Sequence, residues 1–343
     1  MGKPNSRNKR SVPGTIRVAM VNGTGSAGVL HFPSLLQHPR VDFTAVTHRP
    51  GSRLESIATR EGLNQYQDFV EMVKREHPDA VYVTVPPLER FDVVSALLEL
   101  GCHTFVMKPP SLTTDQIRQM ALLARKQGLL TGVVFYRRFS DVVRKGKQLC
   151  TENGEVHTAV ASFYKYAVGA GPYSRGGIDI LTSDAIHGVD TLRYLCGGRV
   201  EGVFSNVRKI NADHHNAFQA IIKFSSGRTG VLLANWMSGR RMFTVEVHGP
   251  GVSCFGDLEE GGRIFKENKT DPVSTFPSLG NQHDTEYYRT FGIPEINIPK
   301  TGWHKTVNDH FIDCILANRQ PETCFQDALE TMELVDAIYN SQI

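Results

Sequence analysis

The stretch of sequence that decides the fold is residues 15–28, which read Thr-Ile-Arg-Val-Ala-Met-Val-Asn-Gly-Thr-Gly-Ser-Ala-Gly. A short apolar run, Ile16–Val21, leads into glycines with the spacing G-x-G-x-x-G. The first glycine allows a tight turn out of a strand, the second lets a pyrophosphate approach the backbone, and the third lets a helix pack closely. The unpaired N–H groups at the start of that helix then face the phosphates. The stretch predicts a dinucleotide site made by Gly23, Thr24, Gly25, Ser26, Ala27 and Gly28.

The composition of the chain indicates a globular protein with two domains. Its 343 residues are too many for one ordinary core, and 40% hydrophobic with 21% charged residues is typical of soluble proteins. The formal net charge of +3 gives no reason to expect nucleic acid or an anionic membrane as a partner. The six cysteines are widely spaced, and no apolar run has the length of a membrane span or the character of a signal peptide. We therefore expect a reduced, cytoplasmic protein.

Two different patterns divide the chain near residue 150. From residue 15 to residue 150, apolar strands alternate with helices, which predicts an α/β domain with a doubly wound parallel sheet of the Rossmann type. Thr113 followed by Gln116 is a capping box at the start of one helix. Beyond residue 150, β-like runs follow one another, and Ser225–Arg228 predicts a hairpin turn between two of them. We expect a disordered tail over residues 1–14, the Rossmann domain over 15–150, and an α+β domain with an open, largely antiparallel sheet over 151–343.

The end of the second predicted strand bears on the choice of cofactor. In NAD-binding versions of this fold an acidic residue there bonds the ribose 2′-hydroxyl, but this chain runs Thr-His-Arg-Pro-Gly-Ser-Arg over residues 47–53. Arginine offers a planar fork of donors that suits a 2′-phosphate, although a solvated basic loop is the alternative. The sequence therefore favours NADP(H) over NAD(H), with contacts at His48, Arg49, Ser52 and Arg53.

Two further stretches resemble a known family. Residues 104–110, Thr-Phe-Val-Met-Lys-Pro-Pro, cover the fourth predicted strand and its carboxyl end, and residues 176–190 open a helix in the second part. Together with the glycine turn they resemble the glucose–fructose oxidoreductase/inositol dehydrogenase/rhizopine-catabolism family of NAD(P)-dependent enzymes, from about residue 15 to the end. The resemblance implies a Rossmann domain followed by an open-faced α/β domain. It also implies hydride transfer to or from a sugar, a cyclitol or a related polyol.

Two positions depart from the usual pattern of that family. The family usually has Glu-Lys-Pro where this chain has Met107-Lys108-Pro109, which removes a carboxylate and keeps the lysine. Inositol dehydrogenase-like members carry Asp-x-x-x-His on the helix. Here Ser183 stands at the acidic position, and Asp184 comes one place later, before His187.

Lys108, Asp184 and His187 are the predicted catalytic residues. A carbinol that loses hydride must also lose a proton, and an ammonium group near its oxygen stabilises the developing charge. Histidine can take or give that proton near neutral pH. Asp190 either holds the tautomer of His187 or only forms a cap or a salt bridge. A solvated loop lysine and a buried structural histidine are the alternatives for Lys108 and His187.

The other predicted contacts complete the site. Further cofactor contacts are expected at Thr84, Pro86, Lys108, Pro109 and Arg138. Substrate contacts are expected at Lys108, Tyr164, Tyr166, Ser183, Asp184 and His187. No cluster has metal-ligand spacing, so we predict no metal. An open sheet leaves one face uncovered, which predicts a homodimer or a homotetramer built as a dimer of dimers.

Two other functions remain open on the sequence alone. Some members of the family bind dinucleotide and contact a protein partner, so a ligand sensor on the same scaffold is one alternative. A cyclic imine reductase, with His187 or Lys108 as the acid, is the other. The presence of Lys108 and His187 favours an enzyme, because a sensor needs no proton-handling pair.

Overall fold

A computed structural model of the chain describes residues 14–21, 30–167, 179–258, 261–266, 269–276 and 303–342. The predicted glycine turn, Gly23 to Gly28, lies outside these residues. The same is true of residues 1–13 of the predicted tail and of residues 176–178, which begin the second stretch of the family resemblance.

The N-terminal part forms the predicted parallel sheet. Its strands are β1 (Ile16–Val21), β2 (Val41–Thr47), β3 (Asn64–Tyr66), β4 (Ala80–Val83), β5 (His103–Val106) and β6 (Thr131–Val133). They pair in the order β3-β2-β1-β4-β5-β6, and every pair is parallel. The strand order reverses between β1 and β4. The carboxyl ends of these two strands therefore border the crevice in which sheets of this kind bind ligands.

Helices cover both faces of this sheet. They are α1 (Phe32–Gln37), α2 (Arg53–Glu61), α3 (Phe69–Glu76), α4 (Pro87–Glu99) and α5 (Thr114–Lys126). Alternate residues of β4 enter different apolar clusters: Val81 packs with Leu97 on one face, and Tyr82 packs with Phe32 on the other. The predicted start of α5 is confirmed, because the side chain of Thr113 accepts a hydrogen bond from the backbone N–H of Gln116.

The C-terminal part forms a larger second sheet. A 3₁₀ turn (Tyr136–Phe139) and helix α6 (Asp141–Glu152) lead to its strands, which are β7 (Thr158–Tyr166), β8 (Val200–Arg208), β9 (Ala217–Phe224), β10 (Thr229–Asn235), β11 (Met237–Gly249), β12 (Val252–Asp257), β13 (Gly261–Lys266) and β14 (Lys269–Phe276). Their order is β14-β13-β12-β11-β7-β10-β9-β8. Only the β7–β10 pair among these described strands is parallel, so the sheet is largely antiparallel, as predicted. The predicted hairpin joins β9 to β10, with Gly227 at a φ of +79°.

Three helices in the C-terminal part of the chain pack against the two sheets. Helices α7 (Ile186–Cys196) and α9 (Phe325–Asn340) pack on the second sheet, and α9 also packs against α5. Helix α8 (Trp303–Leu316) lies on the first sheet, where Phe311 stacks on Phe105. The predicted boundary at residue 150 falls within α6, and α8 returns to the first sheet from the predicted second domain. Within the described residues, no helix combines the length and the apolarity needed to cross a membrane.

Candidate functional site

Lys108 follows β5 at the carboxyl edge of the parallel sheet. Its ammonium group donates to the backbone carbonyl of Ser183 at 2.6 Å and to Oδ1 of Asp184 at 2.9 Å. Ser183 and Asp184 belong to the predicted second domain. The structure therefore brings Lys108 together with the segment before α7, at the edge where open α/β sheets bind ligands.

The segment that carries Asp184 is a π-helical turn, Leu181–Ala185, which runs directly into α7. Asp179 holds its start, because Oδ1 accepts from the backbone N–H of Thr182 at 2.8 Å and Oδ2 accepts from the Thr182 hydroxyl at 2.6 Å. A π turn is wider than an α-helical turn and is frequent at functional sites. Here the wider turn presents both a backbone carbonyl and the Asp184 carboxylate to Lys108.

A second lysine bonds the same carboxylate. Lys165, on β7, forms an ion pair with Oδ2 of Asp184, while Lys108 occupies Oδ1. The ammonium group of Lys165 lies 4.7 Å from the centroid of the Trp236 ring. Burial acts to raise the pKa of Asp184, but the two ammonium groups outweigh it and hold that pKa well below its ordinary value. Asp184 is therefore ionised, with a cation on each oxygen.

His187 lies one helical turn after Asp184 and is 3% exposed. Its ring packs against those of Tyr136 and Phe135, with centroid distances of 4.8 Å and 6.4 Å. Neither ring nitrogen has a hydrogen-bond partner in the described part of the chain. Burial, followed by the charges of Lys108 and Arg137, lowers the pKa of His187 well below 6.5. The neutral imidazole can therefore offer one N–H donor and one lone pair to a ligand.

Asp190 bonds an arginine and not His187. Nε of Arg138 donates to Oδ2 of Asp190 at 2.9 Å, and Nη2 donates to Oδ1. The same guanidinium donates to Asp327 at 2.7 Å and to the carbonyl of Glu322 at 3.1 Å. Of the two roles considered for Asp190, the structure shows the salt bridge. The cofactor contact of Arg138 stays a prediction, and the geometry directs its guanidinium into this buried cluster instead.

The loop after β2 carries part of the predicted phosphate site. Arg49 has a side chain that is 58% exposed, and it pairs with Glu89 at 3.1 Å. Ser52 is the N-cap residue of α2, and its buried hydroxyl has no hydrogen-bond partner among the described residues. His48 turns inward, is 5% exposed, and places Nε2 2.7 Å from a glutamine amide oxygen. Arg49 therefore presents an exposed cation in this loop, whereas the side chain of Arg53 lies outside the described structure.

Thr84 and Pro86 follow β4 at the crevice. Thr84 is 6% exposed, and its backbone N–H donates to the carbonyl of Val21 at 2.8 Å, so it extends the pairing of β1 with β4. Pro86 is the N-cap residue of α4. Thr84 therefore lies beside the carboxyl end of β1.

A buried arginine holds the loops after β4 and β5, and the sequence did not single it out. Arg90, on α4, is 2% exposed, and its guanidinium donates to the carbonyls of Val85, at 2.8 Å, and of Pro109. Burial lowers the pKa of Arg90 to about 9. Because Pro109 follows Lys108 directly, Arg90 helps to position the loop that carries the lysine.

Strand β7 places Lys165 at the site and the two predicted tyrosines on its other face. Successive side chains of a strand point to opposite faces, so Tyr164 and Tyr166 lie opposite Lys165. Tyr166 is 69% exposed. The substrate contacts of these tyrosines stay predictions without support from the geometry. Sequence reasoning missed Lys165, although strict alternation puts it on the same face as the buried Phe163.

Buried rings extend from His187 towards the first sheet. The ring of Tyr136 stacks on His304 at 5.0 Å, and the His304 ring lies 5.3 Å from that of His31. Burial lowers the pKa of His304 to about 3 and that of His31 to about 4. Both imidazoles are therefore neutral at physiological pH.

Met107 contacts one of these neutral imidazoles. The amide nitrogen of Asn308 donates to the hydroxyl of Ser34. Nδ1 of His31 donates to Oδ1 of Asn308 at 2.8 Å, because an amide oxygen can only accept. Sδ of Met107 lies 3.2 Å from Nε2 of His31. The residue that replaces the usual glutamate before Lys108 thus faces an uncharged ring.

Comparisons with known proteins agree with this architecture. Residues 16–135 match the oxidoreductase family with an NAD-binding Rossmann fold, and residues 144–253 match the GFO/IDH/MocA C-terminal domain. The scyllo-inositol 2-dehydrogenase (NAD(+)) of Bacillus subtilis (strain 168) is 25% identical over 344 residues, covering 95% of this chain and 94% of that protein.

Solved structures share the fold. A dehydrogenase from Clostridium difficile has a TM-score of 0.79 and 20% identity over 95% of this chain and 99% of that chain. A 3-ketoreductase from Actinomadura kijaniata, in complex with NADP and TDP-benzene, has a TM-score of 0.76 and 19% identity over 96% and 98% of the two chains. The family matches and the shared architecture lead to one conclusion: the chain belongs to the GFO/IDH/MocA family of NAD(P)-dependent oxidoreductases.

Proposed function

We propose that this chain transfers a hydride between nicotinamide and a ring carbon of a sugar, a cyclitol or a related polyol, interconverting alcohol and ketone. The observation that carries the proposal is the convergence of Lys108, Asp184 and His187 at the carboxyl edge of the parallel sheet. Lys108 comes from the Rossmann part and the other two from the second part. The reacting side chains thus meet where the two parts of the chain face each other.

Lys108 is the residue that we assign to the carbinol oxygen. An ammonium group has three N–H donors, and here two of them bond the Ser183 carbonyl and the Asp184 carboxylate. The third can donate to the substrate oxygen and stabilise the negative charge that develops there. Asp184 holds the ammonium group in this orientation.

His187 is the residue that we assign to the hydroxyl proton. Its lowered pKa keeps the imidazole neutral, so a ring nitrogen retains a lone pair that can accept the proton. In the reverse direction the same nitrogen returns the proton to the oxygen. The surrounding rings of Tyr136 and Phe135 restrict water around this exchange.

The residues at the first sheet fit a nicotinamide dinucleotide, which supplies or accepts the hydride when bound. The buried hydroxyl of Ser52, at the start of α2, is a polar atom that a ligand phosphate would satisfy. The exposed guanidinium of Arg49 lies in the same loop. On these two residues we propose that NADP(H) binds more tightly than NAD(H). The relatives carry both cofactors, since one is named for NAD(+) and another was solved with NADP.

Two measurements on the purified full chain test the proposed function. Calorimetry measures the binding of NADPH and NADH, and absorbance follows turnover with a panel of sugars, cyclitols and their ketones. We expect dinucleotide binding and turnover with at least one member of the panel. Failure to bind either dinucleotide would overturn the proposal. A stable dinucleotide complex without turnover, together with a co-purifying partner, would indicate the ligand sensor instead.

The open face of the second sheet supports a homodimer or a dimer of dimers. Strand pairing aligns one row of side chains across this face: Phe204, Ile221, Val231, Val160, Glu246 and Phe255. Phe204, Ile221 and Phe255 are 60%, 53% and 43% exposed. The part of the row from Phe204 to Val160 is apolar without interruption. Apolar surface of this kind is typical of interfaces, and isologous packing of two such faces would cover it.

Light scattering tests this assembly. We expect a dimer or tetramer for the wild type at micromolar concentration, and a shift to monomer for Ile221→Glu. The matched control is Leu122→Glu on α5, a residue that is 59% exposed away from this face. A monomeric wild type would refute the proposal.

A cytoplasmic location is the last part of the proposal. All six cysteines are free thiols, and five of them are buried. Free thiols without disulfides are typical of proteins from reducing compartments. Cell fractionation with an antibody against the full chain tests this location.

A further inference from the structure

Lys108 and Lys165 share one carboxylate in the proposed site. Lys108 bonds one oxygen of Asp184 and Lys165 bonds the other, and their side chains are 21% and 13% exposed. One negative charge cannot balance two positive charges, so these three side chains carry a net positive charge. Excess charge that is largely removed from water is unfavourable unless a further anion meets it.

Two arginines, Arg241 and Arg137, add positive electrostatic potential around Lys108, Lys165 and Asp184. Burial lowers the pKa of the Lys165 ammonium group, Asp184 opposes this, and the charges of Arg241 and Lys108 lower it further. Arg241 lies beside the site, with its guanidinium carbon 5.5 Å from the Phe163 ring centroid. The positive charge of Arg137 likewise lowers the pKa of His187. The field at the site therefore favours an anionic ligand.

Lys165 retains hydrogen-bonding capacity for such a ligand. Within the described part of the chain, the Asp184 carboxylate takes one of the three N–H donors of the Lys165 ammonium group. The ammonium nitrogen of Lys165 lies over the Trp236 ring, 4.7 Å from its centroid. This packing holds the ammonium group on the site side of β7 and limits the entropy that ligand binding would cost.

We infer that the substrate is an acidic sugar or cyclitol whose carboxylate binds Lys165 while its carbinol oxygen binds Lys108. The inference rests on the proposed function, because it takes the reaction at Lys108 as given. The two ammonium groups bond opposite oxygens of a single carboxylate, so they lie close together. The acid group of the substrate is therefore on a ring carbon next to the reacting carbinol, or one bond further away.

A simpler role for Lys165 would be to orient Asp184 alone. In that case the removal of Lys165 would weaken the binding of neutral and acidic substrates equally, since both would depend on Asp184 in the same way. Direct recognition of a carboxylate instead predicts a loss of discrimination between acid and neutral sugar. The ratio of the affinity for the acid to the affinity for the neutral sugar therefore distinguishes the two roles, whereas neither affinity alone does.

Calorimetry with matched ligands tests the inference. D-glucuronate and D-glucose are titrated into the full chain, with and without NADPH, and the pair D-galacturonate and D-galactose repeats the comparison. We expect each acid to bind at least about tenfold more tightly than its neutral partner, the effect of about one charge-assisted hydrogen bond. The preference for the acid should shrink as salt is raised, because salt screens the interaction.

Variants of Lys165 assign the preference to this residue. We expect Lys165→Met to reduce the ratio of the two affinities to about threefold or less and Lys165→Arg to retain most of it, since only the arginine keeps the charge. The matched control is Lys145→Met on α6, where the lysine is 53% exposed and pairs with Asp141. This control should keep the wild-type ratio.

Four results would overturn the inference. They are undetectable binding of the acids, equal affinity for acid and neutral sugar, tighter binding of D-glucose 6-phosphate than of D-glucuronate, and an unchanged ratio in Lys165→Met. The titrations without NADPH do not require hydride transfer or cofactor binding. Failure of the proposed oxidoreductase function would therefore leave the test of acid binding readable.

Discussion

The ring of His187 packs against the ring of Tyr136, with 4.8 Å between centroids and 61° between planes, and its nitrogens bond no carboxylate among the described residues. The carboxylate of Asp184, one turn earlier, bonds Lys108 instead. In this arrangement the carboxylate orients the lysine, and the imidazole keeps its hydrogen-bonding capacity for a ligand. The roles of Asp184 and His187 can therefore be separated by mutation.

Asp184→Asn should lower turnover while dinucleotide binding remains. The amide removes the charge that orients Lys108, and we expect kcat to fall by about 10²-fold. The affinity for NADPH, measured by fluorescence titration, should stay within about threefold because Asp184 lies on the substrate side. Asp115→Asn, at a position whose side chain is 80% exposed, is the control. A mild effect on kcat would contradict the assignment of Asp184 as the residue that orients Lys108.

The pH profile of kcat/KM should reflect the lowered pKa of His187. The imidazole accepts a proton only in its neutral form, and burial keeps it neutral down to well below pH 6.5. We therefore expect a level kcat/KM as pH falls from about 8 to about 6.5, with a decrease only at lower pH. His187→Asn should lower kcat by about 10²- to 10⁴-fold, and His157→Gln, at an exposed position, should not. Near wild-type turnover of His187→Ala across this range would rule out the assignment.

His304 should make the folded protein sensitive to acid. Its pKa is about 3 in the folded protein against 6.5 for an ordinary histidine, so the unfolded chain binds more protons below pH 6.5. Stability is therefore present above pH 6.5 and is lost as pH falls, by up to about 1.4 kcal/mol per pH unit for this group. Urea unfolding at about pH 7.5 and about pH 5 measures the loss, and His304→Phe should reduce it by about 2 kcal/mol. An equal loss in His304→Phe and in the exposed control His157→Gln would contradict this prediction.

Arg138→Met should destabilise the fold. The substitution leaves the buried carboxylate of Asp190 without its cation, which typically costs about 3–5 kcal/mol. Arg118→Met removes two exposed ion pairs, with Asp115 and Glu333, and should cost about 1 kcal/mol or less. Urea unfolding compares the two variants. A stable Arg138→Met protein with reduced affinity for NADPH would show that Arg138 contacts the cofactor, as the sequence predicted.

Arg49→Ala should weaken NADP(H) binding selectively. We expect the Kd of NADPH to rise by about tenfold, because one charge-assisted hydrogen bond to the 2′-phosphate is lost. The Kd of NADH should change by less than about threefold, since its ribose carries no such phosphate. Arg60→Ala on α2, where Arg60 pairs with Glu61, is the control for net charge. Equal wild-type affinities for NADPH and NADH would overturn the proposed preference.

Local features of the sequence were sufficient to predict much of the fold. Thr113 caps α5 as predicted, because capping depends on residues a few places apart. The Ser225–Arg228 turn joins two antiparallel strands for the same reason. The apolar run over residues 129–136 predicts one strand, but β6 covers only Thr131–Val133, and Tyr136 begins a 3₁₀ turn. The apolar character of that run does not distinguish strand from turn.

The sequence by itself determined the fold class and the family, and it singled out Lys108, Asp184 and His187 as candidate catalytic residues. These predictions depend on short motifs and on the periodicity of apolar residues, which are local properties of the chain. Only the tertiary structure decided which side chains meet. Asp184 pairs with Lys108 across 76 positions and with Lys165 across 19, and Asp190 pairs with Arg138 across 52. Contacts at such separations depend on how the two sheets and their helices pack, and that packing is a property of the whole chain that no local pattern encodes.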